Sequence, residues 1–201
     1  MRKQTTVRSL KASDRKQARN KYKSALVMRS FFLKMLNQLL TVGMGKDARL
    51  ALAKDALAHP AMFTELILLV RSGSNVQRMK GAWVLSGIHA LNRAKLIPFY
   101  ESFMVQLTSE STGGVKRELL RCFENIELEP KIAEQLLAIT FDWITDETQD
   151  VAVRYLCLRL LKPIVKKYPE LDTELQMQIE LSRTKFGKIP FKKKPAERGL
   201  L

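Results

Sequence analysis

Apolar side chains recur every three or four residues through the middle of the chain, and glycine, proline and short polar clusters interrupt this pattern at intervals. Such spacing places apolar residues on one face of a helix, and no stretch shows the alternation expected of an exposed strand. The sequence therefore predicts an all-α fold. The predicted helices span residues 24–41, 46–58, 61–71, 76–91, 96–109, 115–127, 130–145, 150–167 and 170–182.

Three of the predicted helices begin alike, with a capping or turn residue, then a valine, then a basic residue. The three valines, Val76, Val115 and Val151, are 39 and 36 residues apart, and an apolar helix precedes each one. A helix pair repeated at this interval has a face that only a neighbouring pair can bury. The pattern therefore predicts a right-handed α-solenoid of antiparallel helix pairs. The expected N-caps are Asn75, Asp150 and, more weakly, Gly114.

The apolar positions also predict a core. The side chains expected to be buried are Trp83, Leu85, Leu119, Cys122, Phe123, Leu158 and Leu161. Cys122 and Cys157 lie within apolar helical segments, which favours reduced core thiols over a disulfide. His59 and His89 are isolated from both cysteines, so no zinc ligand set is predicted. No Gly-rich phosphate loop or nucleophile motif occurs, and we expect no cofactor.

The net charge of +15 is concentrated at the two ends of the chain. Residues 1–29 hold ten Lys and Arg against one acid, residues 183–201 hold seven against one, and residues 30–182 are balanced. We therefore predict a largely disordered basic tail at 1–29, a repeat domain at 30–182 and a basic tail at 183–201. The composition of 1–29 leaves a targeting role open. The tail residues predicted to contact phosphate are Arg15, Lys16, Arg19, Lys21, Lys23, Lys192, Lys193 and Lys194.

Several short segments resemble a known family. GAWVLSG, FDWI followed by DVAVR, KYPEL and the terminal PFKKKPAERGLL are similar to a group of small bacterial HEAT-like repeat proteins, over about residues 46–201. Members of this group are sometimes labelled adenylosuccinate lyase, but the Ser-rich signature loop of that superfamily has no counterpart here. More distantly, the chain resembles HEAT-like alkylpurine DNA glycosylases, which use a concave aspartate near tryptophans. That resemblance draws attention to Trp143 and Asp146, which we expect at an edge or on the outer side.

The family resemblance implies that the second helix of each pair lines an inner, concave face. Three such helices carry ten basic and three acidic side chains, an arrangement suited to a phosphate backbone. The side chains predicted to contact a ligand are Lys80, Lys116, Arg121, Arg159 and Lys162. The arginines expected either to support the repeat or to bind are Arg78, Arg117 and Arg154. Glu118 and Glu124 are expected to pair with neighbouring cations.

These observations predict a non-catalytic binding or scaffold module that uses its inner face, with the basic tails adding phosphate contacts. The partner is a macromolecule, either protein or nucleic acid, DNA or RNA. Two alternatives stay open, a nucleic-acid-directed enzyme related to the glycosylases and an RNA- or ribosome-associated basic protein. The longest stretch without a charged residue runs from Gly81 to Asn92, well short of the ~20 residues that cross a bilayer. We expect a cytoplasmic monomer that does not enter a membrane.

Overall fold

The computed structural model describes residues 45–109 and 112–186, together with residues 16, 17, 19–24, 26, 27, 30, 31 and 34. Between residues 45 and 186, the described chain forms eight α-helices and two 3₁₀-helical turns, Arg93–Phe99 and Pro169–Leu171, with no strand. The α-helices are α1 Lys46–Ala58, α2 Pro60–Ser72, α3 Asn75–Asn92, α4 Tyr100–Ser109, α5 Gly113–Arg121, α6 Pro130–Thr145, α7 Val151–Lys167 and α8 Asp172–Phe186.

The helices stack in two layers. The second layer holds α1, α3, α5 and α7, and each of these packs against the next. The first layer holds α2, α4, α6 and α8, where α6 contacts both α4 and α8. Phe63 of α2 meets Phe99 of the first 3₁₀ turn, with ring centroids 5.5 Å apart. This arrangement confirms the predicted all-α solenoid, because each helix pair covers the apolar face of its neighbour.

The repeat has a different register from the one that the valines predicted. The N-caps of α3, α5 and α7 are Ser74, Thr112 and Asp150, which lie 38 residues apart at both steps. Ser74 forms a capping box with Gln77, so Asn75 is the first helical residue rather than the cap. The equivalence of the three valines is therefore wrong: Val115 is fully buried, whereas Val76 and Val151 are 53% and 48% exposed.

Asp150 is the N-cap of α7 as predicted, but its side chain does not cap that helix. It lies instead against the start of α5, where a Cβ on Gly113 would come within 1.8 Å of Asp150 Oδ2. A carboxylate at this place is favoured by the positive end of the α5 dipole. Gly114, predicted as a weak cap, is the second residue of α5. The next repeat therefore supplies the anionic group that meets the start of α5.

Helix α5 is much shorter than predicted. It has 9 residues, whereas α3 has 18 and α7 has 17, so the prediction of a helix over 115–127 is wrong at its C-terminal end. The chain turns over residues 122–125, and Asn125 has a φ of 55°, a left-handed conformation that asparagine tolerates. Side chains of the preceding repeat hold this turn. His89 Nε2 lies 2.9 Å from the Glu124 carbonyl oxygen, and Arg93 Nη1 donates to the Asn125 carbonyl.

The predicted core is confirmed except at one position. Leu85, Leu119, Cys122, Phe123, Leu158 and Leu161 are all buried. Trp83 is only partly buried, and the guanidinium carbon of Arg49 lies 5.4 Å from its ring centroid. The thiols are buried as predicted, and burial raises the pKa of Cys157 to about 12 and that of Cys122 even further. Both thiols are therefore protonated and unreactive near neutral pH.

The two basic ends differ in how much of them the structure describes. Helix α8 continues to Phe186, so Arg183 and Lys185, assigned to the C-terminal tail, belong to the last helix. The described residues between 16 and 34 are helical and exposed, in a part of the chain where the sequence predicted a largely disordered basic tail over 1–29 and a helix over 24–41. Four predicted phosphate contacts, Arg15, Lys192, Lys193 and Lys194, lie outside the described residues.

Candidate functional site

One stripe of side chains on each second-layer helix faces away from the first layer. Residues at the fifth and ninth positions of α3, α5 and α7 are equivalent in the 38-residue register, and all of them are partly or fully exposed. Positions four residues apart lie on the same side of a helix. We call the surface that these stripes form the inner face. Its members at these positions are Met79, Trp83, Arg117, Arg121, Tyr155 and Arg159, and the stripe of α7 continues to the exposed Lys162 and Lys166.

A buried carboxylate anchors two arginines of the inner face. Glu118 has a side chain only 1% exposed and accepts a hydrogen bond from Ser86 Oγ at 2.8 Å. It also accepts from Arg117 Nε at 3.0 Å and from Arg121 Nη1 at 2.8 Å, and both arginine side chains are 37% exposed. The pairing of Glu118 with Arg121 confirms a prediction from the sequence. Charge-assisted hydrogen bonds from a fixed, buried acceptor hold the two guanidinium groups in place at the surface.

A second ion pair joins the turn after α5 to α7. Arg159 Nη2 lies 2.8 Å from Glu124 Oε2, and the Glu124 side chain is 17% exposed. Burial raises the pKa of Glu124, while the positive charges of Arg159 and Arg121 oppose this rise. Glu124 thus has a basic partner, as the sequence predicted. The two acids, Glu118 of α5 and Glu124 of the turn after it, are largely covered, whereas their arginine partners reach the surface.

Lys116, predicted to be an accessible contact, is buried at 8% exposure. Its Nζ donates to Gln149 Oε1 at 2.8 Å and lies 4.6 Å from the ring centroid of Trp143. In the 38-residue register, Lys116 is equivalent to Arg78 and Arg154, at the fourth position of each helix. One residue along an α-helix is a rotation of ~100°, so Lys116 turns towards the α6–α7 turn while Arg117 takes the exposed stripe.

The other residues predicted to contact a ligand differ in how exposed they are. Arg159 and Lys162 are exposed, and Lys80 and Arg78 are half-buried with partners of their own. Arg154 is also half-buried, with its guanidinium carbon 3.7 Å from the ring centroid of Phe186 in α8. The residues brought together on the inner face are therefore Arg117, Arg121, Arg159 and Lys162.

Asp146 ends α6 and organises the turn that follows. Its Oδ1 accepts from the backbone N–H of Thr148 at 2.8 Å, and its Oδ2 accepts from Gln149 Nε2 at 2.7 Å. These side-chain and backbone hydrogen bonds lower the pKa of Asp146. Gln149 connects this carboxylate to Lys116, which covers Trp143. Trp143 and Asp146, to which the glycosylase resemblance drew attention, therefore both take part in the contacts between the end of α6 and Lys116 of α5.

A sequence profile of the HEAT repeat domain matches residues 36–193. The chain is a HEAT-repeat protein. The matched region includes all eight helices and leaves the first 35 residues outside it. No curated protein sequence and no solved structure shows significant similarity to the chain. A HEAT-repeat protein of this kind is a helical scaffold or binding module, since stacked repeats present an extended surface to a macromolecule.

The described part of this HEAT-repeat protein was searched for metal-binding clusters and for membrane-spanning helices. Its described residues contain no group of three His, Cys, Asp or Glu side chains that could hold a metal ion. None of its described helices has the length and apolar character needed to cross a membrane.

Sequence reasoning missed the exposure of Trp83 and Arg117 in this HEAT-repeat protein, although a signal was present. Ser74, Thr112 and Asp150 are all residue types found at N-caps, and their equal spacing fixes the register. That register places Trp83 with Arg121 and Arg159, on the solvent side of the second layer.

Proposed function

We propose that this HEAT-repeat protein is a non-catalytic module that binds nucleic acid along its inner face, with further phosphate contacts from its basic ends. The observation that carries the proposal is the separation of charge on α5, the turn after it and α7. Five cations, Arg117, Arg121, Arg159, Lys162 and Lys166, lie on exposed stripes, whereas the two acids beneath them are largely buried. Clustered cations on one face attract a phosphate backbone.

The ion pairs leave donors for such a ligand. Arg121 uses only Nη1 for Glu118, Arg117 uses only Nε, and Arg159 uses only Nη2 for Glu124. A guanidinium group has five N–H donors. The remaining donors of these three arginines have no protein acceptor among the described residues. Each arginine can therefore keep its internal partner and still bind a phosphate oxygen.

Aromatic side chains accompany the arginines on the inner face. Trp83 occupies the ninth position of α3, equivalent to Arg121 in α5, and Tyr155 occupies the fifth position of α7, equivalent to Arg117 in α5. Tyr155 is 43% exposed and Trp83 is partly exposed. Because unpaired bases stack on exposed aromatic rings, this combination favours single-stranded nucleic acid over a duplex.

The basic N-terminal segment supports the same function. Its described cations Lys16, Arg19, Lys21 and Lys23 are helical and exposed, which makes them available for phosphate contacts that do not depend on sequence. Such contacts add affinity at low salt and are lost at high salt.

A salt titration tests the proposal. Full-length protein and a labelled single-stranded 20-mer are titrated by fluorescence anisotropy at several salt concentrations. The double variant Arg121→Gln with Arg159→Gln removes two proposed phosphate contacts, so the log–log salt slope should fall in magnitude by about 1.4. The control, Lys131→Gln with Arg183→Gln, removes two exposed cations of the first layer that also pair with glutamates. Equal slopes for the two double variants, or no binding by the wild type at low salt, would refute inner-face binding.

A further inference from the structure

The early end of α5 leaves a cleft between two repeats. The cleft has a volume of about 880 Å³ and is lined by the chain after α5, the first half of α6, the second half of α7 and the second 3₁₀ turn. In α3 and α7, the equivalent length is filled by about two further helical turns. The cleft is large enough for several side chains of a binding partner.

The cleft has an apolar base and an acidic rim. Its base includes the partly buried side chains of Ile126, Leu137 and Ile164. Three exposed glutamates stand around it on three different segments, namely Glu127, Glu134 and Glu170. None of these three carboxylates has an ion-pair partner among the described residues. Two cations also line the cleft, Lys167 and Arg159, and Arg159 is paired with Glu124. A basic helix with large apolar side chains would satisfy both parts of this surface.

The same chain has described residues of that composition near its N-terminus. The described residues between 16 and 34 are helical, and the cations Lys21 and Lys23 stand beside large apolar side chains. These apolar side chains are strongly exposed: Tyr22 at 68%, Leu26 at 45%, Val27 at 67% and Phe31 at 59%. A cluster of exposed large apolar residues is typical of an interaction site. At these exposures, the four side chains are largely uncovered within a single copy.

We propose that the N-terminal helical segment of one copy docks into the α5–α7 cleft of a second copy. Apolar side chains such as Leu26 and Val27 would cover the base of the cleft, and the lysines would meet the rim glutamates. The segment lies outside the matched HEAT-repeat region, whereas the whole cleft lies inside it. The contact joins two different surfaces, so a pair of copies still has one free segment and one free cleft. Further copies can then add, and the average mass should grow with concentration. This proposal replaces the predicted monomer and does not depend on nucleic-acid binding.

A pair of charge-reversal variants tests the contact. One variant carries Lys21→Glu and Lys23→Glu, and the other carries Glu127→Lys and Glu134→Lys. Molar mass is measured by sedimentation on full-length, nuclease-treated protein from low to high micromolar concentration. The wild type should associate. Each variant alone should associate at least tenfold more weakly, and an equimolar mixture of the two should regain mass, because each acidic segment then meets a basic cleft.

Two controls separate this result from other causes. Glu101→Lys reverses an exposed acid of α4, outside the cleft, and should leave association unchanged. Leu26→Asp keeps the lysines and should weaken association through the apolar contact alone, and its helical circular dichroism checks the fold. A wild type that stays monomeric throughout would overturn the proposal. So would variants that associate like the wild type, or a mixture that gains no mass over its components.

Discussion

Replacing Glu118 by glutamine should weaken the fold and strengthen ligand binding at the same time. Glu118 is buried, and its carboxylate accepts from Ser86, Arg117 and Arg121 at 2.8 to 3.0 Å. Glutamine has nearly the same shape but no charge and only one acceptor oxygen. With that oxygen towards the arginines, which bind Oε1, the two arginines lose a charged acceptor and the amide NH2 faces the Ser86 hydroxyl, which must turn to accept from it.

The size of both effects follows from the environment of the three partners. A hydrogen bond to a charged group contributes ~1.5–3 kcal/mol, roughly twice a neutral one, so two weakened arginine contacts could cost ~2–3 kcal/mol. Both arginine side chains are 37% exposed and can turn to water, and glutamine is cheaper to bury than a carboxylate. We therefore expect a net loss of about 1–2 kcal/mol. Removing a negative charge ~7 Å from a bound phosphate, at the dielectric of water, contributes ~0.6 kcal/mol, or roughly threefold in affinity.

Two measurements on the same protein check this prediction. Urea denaturation gives the unfolding free energy, and anisotropy at a temperature where the variant is fully folded gives the affinity for a single-stranded 20-mer. Glu101→Gln is the matched control, because Glu101 pairs with Lys131 at 3.3 Å on the exposed first layer. It should change neither quantity appreciably. A Glu118→Gln variant as stable as the wild type, or one that binds more weakly, would refute the reasoning.

Three other predictions concern the fold alone. Leu158→Ala should cost ~2–5 kcal/mol in urea denaturation because Leu158 is buried, and a cost below ~0.5 would contradict its place in the core. Ser74→Ala should cost ~1 kcal/mol through loss of the capping box, and an unchanged melting curve would contradict the assigned register. The lowered pKa of Asp146 stabilises the fold above the pKa of the unfolded carboxyl, ~4, and this contribution is lost as pH falls towards the folded pKa. Asp146→Asn should therefore be less stable than the wild type at pH 7 and should approach it below pH ~4, as pH-dependent denaturation can show.

Much of the fold could be predicted from local sequence signals. Helices α1 and α6 begin and end at the predicted residues, because Gly45 and Pro130 mark their starts and polar residues or proline follow their ends. The end of α5 could not be predicted, since nothing local in residues 122–127 forbids a helix. His89 and Arg93, more than thirty residues earlier, bind the carbonyls of the turn that replaces it. A contact so distant in sequence leaves no periodic signal.

The sequence predicted which helices carry the candidate site, but it did not predict which of their basic side chains are exposed. The sequence predicted a basic inner face on α3, α5 and α7, and in the structure the exposed cations of that face lie on α5 and α7. Lys116 and Arg117 exchange roles because a one-residue shift in register turns the side chain to the other side of the helix. The sequence analysis treated the three valines as equivalent positions of the repeat, whereas in the structure the equivalent positions are the N-caps of α3, α5 and α7.

The most direct test of inner-face binding is the salt slope of single-strand binding in the Arg121→Gln, Arg159→Gln variant. The account predicts that wild type binds tightly at low salt with a steep slope, and that this variant loses about 1.4 in slope while its first-layer control keeps the wild-type value. A variant whose slope and affinity match the control would show that the phosphate contacts lie elsewhere, and would contradict the assignment of the inner face.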